Sequence, residues 1–158
     1  MPNSVSSESN RSTVILIAVF LLPSVLVHLH KLATDISFFQ NTILSLPRSH
    51  PLRVPCVQAL AIARFERYNI LKDPDDLDQS ILRFTEAIFL PLPWDPRCQN
   101  IIRIFFSLTL ALVHRANVSR QPEDVTRSII YLRYLRGQSL EAFNITTNRV
   151  AGLLVDAL

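Results

Sequence analysis

The stretch Asp73–Pro96, DPDDLDQSILRFTEAIFLPLPWDP, constrains this chain most, because it reads as a whole helix and then comes back. Asp73 is a favourable N-cap, and Pro74 suits the first helical position, where its missing N–H costs nothing. Asp75, Asp76 and Asp78 set negative charge against the positive end of the helix dipole. Leu77, Ile81, Phe84 and Ile88 fall on one helical face. Pro91 and Pro93 end the run. The start recurs at Gln121–Ile129, with Pro74, Asp76, Ser80 and Ile81 answered by Pro122, Asp124, Ser128 and Ile129, and Phe84 by the apolar Leu132. The exit has an earlier counterpart: Ile43–Pro47 corresponds to Ala87–Pro91, and Pro51–Arg53 to Asp95–Arg97. The period wanders between about 44 and 48 residues, a length that in an all-helical pattern marks a solenoid of stacked helix pairs.

The fold class expected is all-α, a short α-solenoid of antiparallel helix pairs. Two glycines in 158 residues leave little material for β-hairpins or phosphate-cradling loops, and ten prolines mostly punctuate apolar runs. Helices are predicted over 33–46, 53–68, 75–90, 97–116 and 122–136, the last stopped by Gly137. A further apolar segment covers about 148–158. The helix over 97–116 is apolar enough to suggest a membrane span, but Arg103 and His114 leave only about ten residues between them, so a central buried helix is expected.

The N-terminal part is divided at residues 12 and 31. Residues 1–12 are polar and expected to be disordered. Residues 13–31 hold a very hydrophobic helix, whose run TVILIAVFLLPSVLV is shorter than an ordinary span and longer than most signal-peptide cores. Three readings stay open: a membrane anchor over Thr13–His30, a buried first helix of the array, or a signal peptide with a poor cleavage site. Residues 33–158 form the repeat domain. Localisation is accordingly cytoplasmic or membrane-anchored.

Net charge is +3, and the basic residues are arginines at helical spacing rather than a block. With no Lys/Arg cluster, aromatic platform or zinc spacing, nucleic acid is not an expected partner. His28, His30, His50 and His114 fit no metal-ligand pattern, and the chain contains no GxSxG or P-loop. No catalytic residue, cofactor site or metal site is therefore assigned. Cys56 and Cys98 read as free thiols near the starts of equivalent helices, and Trp94 as a loop anchor. The sequons at Asn10, Asn117 and Asn144 have meaning only in the secretory pathway.

Arg64-Phe65-Glu66, the following DPDDLDQSI, then Phe84, Ala87 and the Leu-Pro exit resemble tetratricopeptide-like repeats of basidiomycete fungal proteins, over residues 33–158. The loop Pro47–Arg53 and the stretch PEDVTRSIIYLRYLRGQSLEAFNI are similar to segments of the same proteins. Larger relatives carry a caspase-like CHAT protease domain, but nothing here matches its Cys/His dyad. The repeats are longer than the usual 34 residues, and Leu132 and Leu135 replace the aromatic and small residues of the unit. The resemblance implies a non-catalytic module that binds a protein or peptide through the first helix of each pair, with Arg64, Arg67, Arg103 and Arg115 as candidate contacts. The alternatives are a single-pass membrane-anchored helical module and a truncated repeat remnant without independent function.

Overall fold

The computed structural model describes the backbone of residues 6–90 and 99–138 and the side chains of residues 23–90 and 101–134. The expected features at Pro91–Cys98, including Trp94 and Arg97, and at 139–158, including the apolar C-terminal segment, lie outside the described residues. Five helices follow one another: α1 (Ser6–Ser45), α2 (Arg53–Leu71), α3 (Pro74–Phe89), α4 (Gln99–Ser119) and α5 (Pro122–Gln138). The described residues contain no strand, so the chain is all-α as expected.

The helix starts follow the sequence signals closely. The Asp73 carboxylate accepts the Asp75 N–H at 3.1 Å, and Pro74 stands at the first position of α3. At the start of α5 the Asp124 N–H donates to the Gln121 carbonyl at 3.2 Å, as the Asp76 N–H does to Asp73. The helix ends differ more. The expected helices over 13–31 and 33–46 are one continuous helix, because no glycine or proline stands between His28 and Leu46 to stop it. Helix α2 runs to Leu71 and α4 to Ser119, each closed by a residue in the left-handed region: Lys72 at φ 57° and Arg120 at φ 51°. Helix α5 passes Gly137, the expected stop, by one residue.

Each helix packs on the one before it and the one after it, and α2 also touches α4. Two-residue connections at Lys72-Asp73 and Arg120-Gln121 make α2/α3 and α4/α5 antiparallel neighbours. The main core runs through α1–α4, from Leu32, Ile36 and Ile43 through Val57, Leu60 and Ala61 to Leu77, Ile81 and Phe84, and on to Ile104, Leu108 and Leu112. The face predicted for α3 is thus buried, with Ile88 half-buried at its end. A second cluster joins Ile101 and Phe105 to Tyr131 and Tyr134 of α5. Segment Ile101–Ser119 is long and apolar enough to cross a membrane. Its Ile104, Leu108, Ala111, Leu112 and Val113 nevertheless lie in the core.

Arg53 ties the first three helices together. Its guanidinium donates to the Ile43 and Leu46 carbonyls at 2.9 and 2.7 Å, satisfying carbonyls at the end of α1. It also reaches Glu86 of α3 at 3.4 Å, which Arg83 holds at 2.6 Å.

Candidate functional site: two equivalent turns and the groove between them

The two left-handed turns are the same structure 48 positions apart. In each, the first residue of the connection donates its N–H back four residues, Lys72 to Tyr68 at 2.7 Å and Arg120 to Ala116 at 2.8 Å. Just before each turn an arginine grips the aspartate nine residues later. Arg67 Nε and a terminal nitrogen donate to the two oxygens of Asp76 at 2.6 Å each. Arg115 donates to the two oxygens of Asp124 at 2.7 and 2.8 Å. Both aspartates are only 1% exposed. One turn further on, Ser80 and Ser128 are fully buried, each returning its hydroxyl to a helix carbonyl, Leu77 at 2.8 Å and Asp124 at 2.7 Å. Most buried positions of α2 recur at the same offset in α4: Val57 and Phe105, Leu60 and Leu108, Ala61 and Thr109, Ala63 and Ala111, Phe65 and Val113.

The physical reason for the clasp is the short connection. A two-residue turn brings the start of the second helix under the end of the first, and the aspartate in its opening turn is carried out of water. A carboxylate placed there needs a cation and several hydrogen bonds, and a bidentate arginine supplies both. The fork–carboxylate bonds hold the Arg67 guanidinium more firmly protonated than usual, and those to Asp124 and Asp78 do the same for Arg115.

The turns differ in what they add to the clasp. Arg64 gives Asp76 a further bond at 3.1 Å, while its own Nε is buried without a hydrogen-bond partner. The equivalent position in the second turn is Leu112, a core residue. Arg115 instead reaches back to Asp78 of α3 at 2.8 Å, so one side chain staples the second helix pair to the first.

Between the turns lies an open groove of about 400 Å³, lined by Tyr68, Lys72, Leu77, Asp78, Arg115 and Val118 among others. Its lining is chiefly apolar. Lys72 Nζ sits 5.2 Å from the Tyr68 ring centroid, a cation–π contact. His114 meets Phe65 and Tyr68 edge-on, at centroid distances of 5.5 and 6.0 Å. Burial, with Lys72 nearby, pushes the His114 imidazole below its ordinary pKa, and burial raises that of the Tyr68 phenol.

The four candidate arginines thus separate. Arg64 and Arg67 are brought together on one carboxylate, Arg115 joins two others, and Arg103 stands exposed on α4 away from both. Three of the four are engaged in holding the helix pairs, an engagement the sequence does not reveal, since the helix dipole alone accounts for Asp76. The available signal was the pairing of Arg67 with Arg115 at the same spacing as Asp76 with Asp124. Cys56 is a half-buried free thiol on α2. Among the described residues no three His, Cys, Asp or Glu side chains are grouped to hold a metal ion.

Comparison with protein-family models, with curated proteins and with solved structures finds no match.

Proposed function

We propose that the chain is a non-catalytic α-solenoid of tetratricopeptide-like helix pairs that presents a surface to a protein or peptide partner. The observation that carries this reading is the recurrence, 48 residues apart, of a complete unit: a left-handed turn, a bidentate arginine on a buried aspartate, and a buried serine. Repeats of this kind stack because one helix pair cannot bury its apolar face alone, and the stacked surface is the usual place for a partner. The carboxylates at the helix starts serve caps and clasps, which supports a binding role over acid–base chemistry.

Arg103 and the groove at Lys72 are the surface features left for a partner, since Arg64, Arg67 and Arg115 hold the fold. The test is recovery of partners by the tagged full-length chain, followed by direct binding with purified components. Arg103→Glu is expected to weaken a direct partner at least tenfold while leaving the unfolding midpoint unchanged, and Lys72→Glu to weaken it likewise with a small fall in the midpoint from the lost contact with Tyr68. Binding unaffected by both substitutions would remove this surface from the reading.

A further inference from the structure

We infer that the N-terminal half of α1 is a lipid-embedded helix that anchors the helical core to a bilayer. Helix α1 is 40 residues long, against 16 to 21 for the other four, and its first buried residue among those described is Leu32. From Pro23 to Lys31 only Leu29 is even partly covered.

Three successive residues in that segment, Val25, Leu26 and Val27, are 39, 59 and 71% exposed. Neighbours on an α-helix stand about 100° apart, so the three place apolar surface over more than half of the circumference. A helix that docks on a soluble partner carries an apolar stripe and a polar back. One that is apolar all round is solvated by core or by lipid. The helical core does not cover this segment, so lipid is the environment its chemistry fits.

The length agrees. Residues 12–30, between Arg11 and Lys31, are nineteen without a formal charge, and at about 1.5 Å per residue they reach about 28 Å, close to the hydrocarbon thickness of a bilayer. His28, His30 and Lys31 are exposed at the junction with the core, where polar side chains reach the headgroups. Pro23 is tolerated in a spanning helix. Helix α4, the other apolar candidate, instead turns Ile104, Phe105, Leu108, Leu112 and Val113 into the core.

The experiment uses the full chain reconstituted in phosphatidylcholine vesicles, washed with alkaline carbonate and floated on a density gradient. The wild-type chain is expected to float with the vesicles after the wash. Leu21→Arg, at the middle of the uncharged stretch, is expected to lose flotation while keeping the wild-type urea midpoint of the helical core, and Leu26→Arg is expected to do the same from an exposed position. Release of the wild-type chain by carbonate overturns the inference, as does a detergent-free soluble oligomer, which would mean that protein covers this helix. A fall in the core's urea midpoint on Leu26→Arg also overturns it, because the segment would then be packed on the core.

Discussion

A carboxylate with 1% of its surface in water cannot stay charged without partners, and Asp76 has two arginines. Removing the carboxylate leaves two guanidinium groups at a half-dry site with nothing to neutralise them. Breaking a buried pair from one side costs about 3–5 kcal/mol, and the partial exposure of Arg64 and Arg67 places Asp76→Ala near the low end of that range. Arg64→Ala is expected to cost less than Arg67→Ala, since Arg64 gives one hydrogen bond and Arg67 two. Urea unfolding of the three variants reads the order directly. His114 adds a pH dependence to the stability. Its folded pKa lies below the ordinary value of 6.5, so between the two values the unfolded chain holds more protons. Its contribution to stability is complete above the unfolded value and is lost as the pH falls through 6.5 toward the folded value. The unfolding midpoint should therefore drop on acidification through that window, and His114→Phe should remove this part of the slope.

At the scale of the element, the helix starts were written in the sequence and the helix ends were not. Asp73 and Pro74 announce α3, and Pro122 announces α5, through local chemistry that needs no neighbours. The ends of α2 and α4 have no such signal. A glycine would ordinarily take the left-handed position, yet Lys72 and Arg120 occupy it. Beside each turn stands the tertiary clasp of Arg67 on Asp76 or Arg115 on Asp124, which a reading of local signals does not contain. A left-handed non-glycine residue carries a strain of about 1 kcal/mol. Arg120→Gly, at an exposed site, should relieve it and raise stability by up to about 1 kcal/mol in chemical unfolding. The apolar face of α3 was legible because 3.6-residue periodicity reports burial. The role of Asp76 on that helix was not, because a charge at a helix start has an adequate local explanation in the dipole. The same limit applies to the candidate arginines: their helical spacing is visible in the chain, but the carboxylates they meet lie across a turn. The break expected between helices over 13–31 and 33–46 is absent from α1 for a simpler reason, since His28–Leu46 holds no glycine or proline.

Over the whole molecule, the described helices touch mainly their neighbours in the chain. Burial is graded along this series. Ile81 of α3 is 4% exposed, whereas the equivalent Ile129 of α5 is 39% exposed. The seam between the two pairs depends on Arg115, which holds Asp124 of its own pair and Asp78 of the one before. The bond to Asp78 is the weaker, because that carboxylate is largely in water. The clasps at the two turns are the same device used twice. Double-mutant cycles on Arg67–Asp76 and on Arg115–Asp124, read by urea unfolding of the full chain, test that most directly. The prediction is a coupling energy of about 2 kcal/mol at each turn, agreeing within about 1 kcal/mol. A coupling near zero at either turn would contradict it, and the 48-residue recurrence would then be a likeness of sequence without a shared structural role.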